Sequence, residues 1–274
     1  MQALTLVDGW PVGSVAVAVV LADGTVAGRR GDAAAPFPLA SVTKLLSAYA
    51  ALVAVEEGAI ELDEPAGPPG STVAHLLAHA SGLASSENRV KARPGARRIY
   101  SNAGFDLLGE HVAARTGIPF AAYLTEAVLE PLGMGASRFA GSPASDAVST
   151  VDDLVLFARE LHRPRLLDAS THRLATTVAF PGLPGVLPGF GRMPRNDWGL
   201  GFEVRDGKAP HWTGRTSSPA TFGHFGQTGT FLWVDPVAGA ACICLTDRTF
   251  AQWAVDAWPP LTDAILAELA AGAA

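Results

Sequence analysis

The sequence contains few cysteines, few lysines and no long basic run, and each scarcity excludes a class of structure or partner. Its 274 residues include two cysteines and, among 20 Lys and Arg residues, three lysines. Cys242 and Cys244 are separated by one residue in an apolar run, which is typical of small buried side chains on one face of a strand. A zinc site needs a wider spacing and further ligands, and a net charge of −6 disfavours nucleic-acid binding. We therefore expect no metal, no cofactor and no nucleic acid.

Very long apolar runs are also missing. Hydrophobic residues make up 49% of the chain and charged residues 17%, with a mean hydropathy of +0.24, which is typical of a globular protein with a large core. No run reaches the length that spans a bilayer. Residues 1–11 lack the basic segment of a signal peptide. We therefore expect no membrane partner and a cytoplasmic location.

Apolar and alternating patterns predict strands at both ends of the chain and helices in the middle. The predicted strands are residues 14–21, 25–29, 199–205, 220–225, 228–234 and 239–246. The predicted helices are residues 40–57, 71–79, 103–116, 119–129, 151–162 and 251–271.

These elements predict an α/β fold of the α+β type. An antiparallel sheet from both chain ends would be flanked by helices and interrupted by an inserted, mostly helical region. The sheet domain would comprise residues 1–58 plus 198–274 and the helical domain residues 59–197, with an active site between them. Residues 1–11 leave little room for a helix before the first strand, so apolar sheet surface could remain for a homodimer contact.

One of the three lysines follows a serine by three residues at the start of a predicted helix. Ser41 and Lys44 would lie on the same helix face, within reach of each other. A buried lysine can lose its proton and act as a base, and serine is a poor nucleophile until a base takes its proton. The pattern favours an activated serine, although a Ser N-cap followed by an exposed Lys has the same spacing.

A second group of polar residues follows at Tyr100 and Asn102. Tyr49 and Tyr123 fall in predicted amphipathic helices, whereas Tyr100 lies between a loop and a helix. A phenol beside a lysine can pass protons to a leaving group, and the Asn102 amide could hold Lys44 and a substrate carbonyl. Alternatively, Tyr100 is a half-buried loop residue with a satisfied hydroxyl.

A third segment, residues 222–230, places His224 among three glycines on a predicted strand. Such glycines let a ligand approach the backbone closely, and a histidine between them is hard to explain as core. His75 and His79 are four residues apart on a predicted helix and could bind zinc. The glutamate of the zinc-protease motif is missing, so a structural role is favoured for this pair.

Residues 180–195 are rich in Pro and Gly and predict an ordered irregular loop over a pocket. Arg192 and Arg195 belong to this loop, and His211 and Trp212 lie in another loop that would border the pocket. Any of them could meet a substrate carboxylate or ring, although a surface position is the commoner one for arginine.

Taken in order, these segments resemble the serine β-lactamase and penicillin-binding-protein family, in its class C-like branch with related serine esterases and D-amino-acid peptidases. The matching stretches are residues 37–44 (FPLASVTK), 76–83 (LLAHASGL), 94–105 around Tyr100-Ser101-Asn102, 198–202 (WGLGF), 223–226 (GHFG) and 245–248 (LTDR). They run in family order over most of the chain, which makes the resemblance specific.

The resemblance implies that Ser41 attacks an ester or amide carbonyl and forms an acyl-enzyme. Lys44 and Tyr100 would share the general-base and general-acid work, and Asn102 would orient Lys44 and the substrate. The backbone N–H groups of Ser41 and Gln227 would form the oxyanion hole. Water would then release the acyl group.

The resemblance also places Asn102, Phe225, Gly226 and Gln227 against the substrate. His224 would take the cationic or donor position that is lysine in most β-lactamases. A His-Phe-Gly sequence in place of Lys-Thr-Gly removes a fixed charge and a hydroxyl, which weakens a site for an anionic β-lactam. The sequence therefore predicts a hydrolase of a small ester or amide, with lactams as poorer substrates. The alternative is a non-catalytic or weakly active relative that binds a ligand.

Overall fold

Strands from both ends of the chain meet in one antiparallel sheet in a computed structural model that describes residues 1–272. The strands in chain order are β1 (Val15–Leu21), β2 (Val26–Arg30), β3 (Phe37–Pro38), β4 (Arg138–Phe139), β5 (Ala147–Ser149), β6 (Gly185–Leu187), β7 (Gly191–Met193), β8 (Glu203–Val204), β9 (Phe222–Gly226), β10 (Thr230–Asp235) and β11 (Ala240–Thr246). The main sheet has the order β2-β1-β11-β10-β9-β8, so β1 pairs with the last strand of the chain. This order confirms the predicted sheet and fold class.

The helices are α1 (Thr43–Glu56), α2 (Val73–Leu77), α3 (Asn102–Thr116), α4 (Phe120–Leu124), α5 (Glu130–Leu132), α6 (Val151–His162), α7 (Ala169–Thr176) and α8 (Gln252–Gly272). Short 3-10 helices occur at Gln2–Gly9 and Ala40–Val42, and a π-helical segment at Thr125–Leu129 joins α4 to α5. Within residues 1–272, every helix is too short or too polar to cross a lipid bilayer.

Two hydrophobic cores lie on opposite faces of the sheet because side chains alternate along each strand. On β1, Ala18 and Val20 face the larger core, whereas Val17 and Val19 face the smaller one. The larger core joins the sheet to α1, α3 and α6, and α8 closes the smaller core. Residues of both predicted domains therefore share the larger core, and the division between the domains stays a prediction.

The structure departs from the predicted elements in several places. The helix predicted for residues 71–79 ends at Leu77, and His79 takes a left-handed φ of 54°. Residues 180–195 contain the hairpin β6–β7, although an irregular loop was expected. The short helix α7 was not predicted, and Ala175 is its one buried residue.

The N-terminal segment corrects the expectation that it cannot form a helix. Gln2–Gly9 is a 3-10 helix that packs on α8, and its Leu4 and Val7 are buried in the smaller core. Glu268 of α8 accepts hydrogen bonds from the backbone N–H groups of Gln2 and Ala3. Because Gln2–Gly9 and α8 cover this face of the sheet, the structure does not support the expected homodimer contact.

Candidate active site

Ser41 lies on the 3-10 helix Ala40–Val42, which we call the serine turn, at the entrance to α1. Ala40 has a φ of 46°, a left-handed conformation that is uncommon for a residue with a side chain. The N–H of Thr43 donates to the carbonyls of Ala40 and Ser41, which joins the turn to the start of α1. Strained backbone of this kind persists only where the surrounding contacts hold it in place.

Lys44 is fully buried, and its side-chain nitrogen has three oxygen neighbours. Nζ lies 2.7 Å from Asn102 Oδ1, 2.8 Å from Ala144 O and 3.2 Å from Ser41 Oγ. Burial lowers the pKa of Lys44 to about 7, against a smaller opposing effect of Asp106. A neutral amine has two N–H groups and one lone pair. Because the Asn102 and Ala144 oxygens can only accept, the lone pair is left for the Ser41 hydroxyl.

Tyr100 is the second hydrogen-bond partner of Ser41. Its hydroxyl lies 2.6 Å from Ser41 Oγ, and Lys44 Nζ lies 4.7 Å from the centre of its ring. Burial raises the pKa of Tyr100 above its ordinary value, against a smaller opposing effect of the Ser41 hydrogen bond. The phenol therefore keeps its proton at neutral pH, which suits a proton donor better than a base.

Asn102 is the first residue of α3, and the residues around it fix its position. Ser101 caps the helix, since its Oγ accepts from the N–H of Gly104 at 3.0 Å and donates to Ala84 O at 2.6 Å. The N–H of Asn102 donates to Ser85 O at 2.6 Å. These bonds hold the start of α3 against residues 84 and 85, with the Asn102 amide oxygen on Lys44.

The end of β9 packs directly against the residues that precede the serine turn. A Cβ added to Gly226 would lie 2.4 Å from both Leu39 O and Thr230 Oγ1, so only glycine fits there. Thr230 Oγ1 donates to Leu39 O at 2.9 Å, and Thr228 Oγ1 donates to Pro38 O at 2.8 Å. The sequence analysis missed the role of both threonines, which attach the serine turn to β9 and β10.

His224 lies on the face of β9 that points toward Tyr100, with ring centroids 5.6 Å apart. Its Nδ1 lies 2.7 Å from Phe225 O and must carry the proton, because a carbonyl can only accept. Burial, helped by Lys44, lowers the pKa of His224 to about 3. The ring is therefore neutral with an unprotonated Nε2, which argues against the expected cationic or donor role.

The Phe225 side chain points away from Ser41, whereas Gln227 is exposed at the end of β9. The Phe225 ring points to the smaller core, where its centroid lies 4.9 Å from that of Phe250 and 5.7 Å from that of Trp258. The side chain of Gln227 donates to Phe250 O at 3.4 Å. The oxyanion hole formed by the N–H groups of Ser41 and Gln227 stays a prediction.

Arg98 is a buried guanidinium that the sequence analysis missed. It is 2% exposed and donates, at 2.6 to 3.1 Å, to the main-chain oxygens of Ala78, Ala179, Phe180 and Asn196. Burial lowers the pKa of Arg98 to about 10, so it stays charged at neutral pH. By joining these segments, Arg98 fixes the chain two residues before Tyr100. The only signal in the sequence was a pair of arginines before the tyrosine.

His211 and Trp212 lie on the far face of the sheet and do not border Ser41. Glu203 Oε1 lies 2.9 Å from Lys208 Nζ and 3.0 Å from His211 Nε2, and the indole N–H of Trp212 donates to the other oxygen. Burial alone would raise the pKa of Glu203, but Lys208 and His211 hold this pKa well below its ordinary value. These side chains form a buried ionic cluster behind β9.

His75 and His79 do not form a metal pair. The Nδ1 of His75 lies 2.9 Å from Thr72 Oγ1, and the Nδ1 of His79 accepts from the N–H of Ser101 at 3.1 Å. The described part of the chain contains no cluster of three His, Cys, Asp or Glu residues that could hold a metal ion.

Solved structures of other proteins match the fold of this chain over nearly its whole length. A β-lactamase from Mycobacterium bovis is 57% identical, over 97% of this chain and 99% of its own, with a TM-score of 0.96. The octameric penicillin-binding protein homologue from Pyrococcus abyssi has the same fold, with 20% identity, a TM-score of 0.76 and coverage of 98% of this chain and 76% of that chain.

A curated relative matches a shorter part of the sequence. The D-alanyl-D-alanine-carboxypeptidase/endopeptidase AmpH of Escherichia coli is 27% identical over 142 residues. The match covers 38% of this chain and 37% of that protein, so it spans little more than a third of either. The β-lactamase family model, in contrast, matches residues 9–266, and the chain therefore belongs to the β-lactamase family of serine hydrolases.

Proposed function

We propose that this protein hydrolyses a small ester or amide through an acyl-enzyme at Ser41. The observation that carries the proposal is the double contact of the Ser41 hydroxyl, with Tyr100 on one side and the lone pair of Lys44 on the other. A pKa of about 7 for Lys44 means that a large fraction of this lysine is neutral at physiological pH. A serine held in this way is ready to be activated.

The residues have separate tasks in the proposed reaction. Lys44 takes the proton of Ser41 while Oγ attacks the carbonyl carbon, and the N–H groups of Ser41 and Gln227 stabilise the oxyanion. Tyr100 donates a proton to the leaving oxygen or nitrogen and recovers one from Lys44. A water molecule then attacks the acyl carbon, one of its protons passes to Oγ as the C–Oγ bond breaks, and the acid and the free Ser41 hydroxyl are released.

Lactam hydrolysis is the second candidate, because the M. bovis relative that is 57% identical is named a β-lactamase. The neutral His224 argues against it, since it gives no charge to a β-lactam carboxylate. The hydroxyls of Thr228 and Thr230 are also engaged with backbone carbonyls. We therefore rank esters and amides before lactams.

A fluorophosphonate probe tests the activated serine directly. We expect the wild-type protein to gain the mass of one adduct and Ser41→Ala to gain none. An unlabelled but folded wild-type protein would favour the alternative of a non-catalytic ligand-binding relative. Hydrolysis of p-nitrophenyl butyrate and of nitrocefin by the unlabelled wild-type protein, with Ser41→Ala as control, then ranks esters against lactams.

A further inference from the structure

A cavity of about 730 Å³ lies beside Tyr100, between the chain that leads to α3 and the hairpin β6–β7. Ile99, Val186 and Met193 give its wall an apolar part. Val186 is 55% exposed and Met193 only 5%, so the apolar wall runs from the opening into the protein. Tyr100 belongs to the cavity wall and its hydroxyl contacts Ser41, so the cavity begins one side chain away from the serine.

The cavity wall is positively charged. Arg97 and Arg192 line it, together with the buried Arg98, and no acidic residue belongs to the wall. The Arg98 guanidinium is already engaged by four carbonyls. Within residues 1–272, the side chains of Arg97 and Arg192 make neither an ion pair nor a hydrogen bond. Arg195, two residues after β7, pairs with Asp206 at 3.7 Å.

A positive charge on the cavity wall matters because β9, which carries His224, supplies none. His224 is neutral, and Lys44 must lose its proton to work as a base. Arg97 is three residues before Tyr100, so its Cα lies within roughly 11 Å of the Cα of Tyr100. Arg97 therefore lies on the cavity wall near the tyrosine whose hydroxyl contacts Ser41.

We propose that the cavity makes the enzyme selective for substrates with a carboxylate, which Arg97 and Arg192 bind while a short apolar spacer lies on Ile99, Val186 and Met193. The substrate class is then the monoesters or monoamides of short dicarboxylic acids. This proposal rests on the proposed hydrolysis at Ser41. In this proposal, Arg97 and Arg192 on the cavity wall supply the positive charge that residues 222–230 lack.

The first experiment compares p-nitrophenyl hydrogen glutarate with its methyl ester, in which an uncharged ester group replaces the carboxylate. We expect the wild-type protein to have the higher kcat/KM for the anion. The ratio should fall about fivefold or more in the double variant Arg97→Gln and Arg192→Gln, as expected for partly exposed charge pairs. Arg195→Gln is the matched control, because its guanidinium is paired outside the cavity. An unchanged ratio in the double variant would overturn the proposal.

A binding measurement keeps the outcome separate from catalysis. Monomethyl glutarate and dimethyl glutarate are titrated into Ser41→Ala and followed by ligand-observed NMR. Tighter binding of the monoanion, lost when Arg97→Gln and Arg192→Gln are added, supports the site even if no ester is hydrolysed. Equal binding of both probes contradicts the site even if Ser41 is reactive. The kinetic and binding experiments together therefore distinguish an incorrect carboxylate site from an incorrect proposal of hydrolysis at Ser41.

Discussion

At the scale of single residues, the environment of Lys44 decides what the site can do. Lys44 and Lys208 are both buried, but Lys208 faces the carboxylate of Glu203 at 2.9 Å. The neighbours of Lys44 are the neutral oxygens of Asn102, Ala144 and Ser41. A buried cation without a contacting carboxylate is destabilised, so Lys44 is the lysine that loses its proton easily.

We expect the rate of fluorophosphonate labelling at Ser41 to follow the protonation of Lys44. Burial lowers the pKa of Lys44 to about 7, and only the neutral amine can take the Ser41 proton. The labelling rate should therefore fall by about tenfold per pH unit below pH 7 and level off above it. Rates measured between pH 5 and 9 by intact mass check this expectation.

Lys44→Arg is the control for this pH profile, because arginine keeps its proton throughout the range. It should lower the labelling rate by roughly a hundredfold or more, the usual contribution of a general base. A wild-type profile without an inflection near pH 7 would show that Lys44 is not the base.

Tyr100→Phe should slow ester hydrolysis by about 10²- to 10³-fold while leaving the fold intact. The Tyr100 hydroxyl has Ser41 Oγ as its hydrogen-bond partner, so the change removes a proton donor without breaking a structural bond. Steady-state kinetics with ethyl butyrate and butyramide, whose leaving groups must be protonated, would measure the loss. Near-normal rates in this variant would assign proton donation to water or to Lys44.

The sequence predicted most of the residues that meet at Ser41 but not their electrostatics. Ser41, Lys44, Tyr100 and Asn102 were identified from the family motifs, and the structure brings them together. The neutrality of His224 could not be predicted, because it depends on complete burial and on the bond to its neighbour's carbonyl.

At the scale of secondary-structure elements, contact between β9 and the serine turn sets the geometry of the nucleophile. Gly226→Ala would place a Cβ 2.4 Å from Leu39 O, where it cannot fit without moving the strand or the turn. We expect a loss of about 1 to 3 kcal/mol in the free energy of unfolding and slower labelling of Ser41. Urea unfolding and labelling rates measure the two effects.

Gly135→Ala is the matched control for Gly226→Ala, because a Cβ at Gly135 has no atom within 4 Å. Its free energy of unfolding should stay within about 0.5 kcal/mol of the wild-type value. Equal stability of both variants would mean that β9 and the serine turn can separate without cost.

Arg98 makes a similar link between elements, since its guanidinium joins the end of α2 to the segments at residues 179–180 and 196. Arg98→Lys cannot reach four carbonyls in different directions and should destabilise the protein by about 2 kcal/mol or more. Thermal and urea unfolding measure the loss, with the exposed neighbour Arg97→Lys as control. A change below about 0.5 kcal/mol would contradict this role.

Two elements that the sequence did not predict lie in segments whose local composition does not indicate them. The 3-10 helix Gln2–Gly9 is stabilised by packing on α8 and by Glu268, which is 266 positions away from Gln2. The hairpin β6–β7 likewise lies in a segment whose Pro and Gly content indicated a loop. In contrast, α6 was predicted with its observed bounds, because Thr150 caps it and its apolar face is regular.

At the scale of the whole molecule, the shared core couples the two predicted domains. Leu232 and Ile243 of the sheet belong to the same core as Phe105 of α3 and Leu154 of α6. The chain also crosses between the two regions twice, at about residues 58 and 198. We therefore expect the sheet and the inserted helices to be lost together on unfolding.

Urea unfolding measured with two probes tests this coupling. Five of the six tryptophans belong to the sheet region, whereas Trp198 at the boundary also packs against His79 and Tyr100. Tryptophan fluorescence therefore reports mainly on the sheet region, while far-UV circular dichroism also reports on helices α2 to α7. We expect one transition with the same midpoint and slope for both probes, because removing either region exposes the apolar surface of the shared core. Two separate midpoints would show that residues 59–197 unfold independently, and the serine turn, which contacts both regions, would then lose Tyr100 before it loses β9.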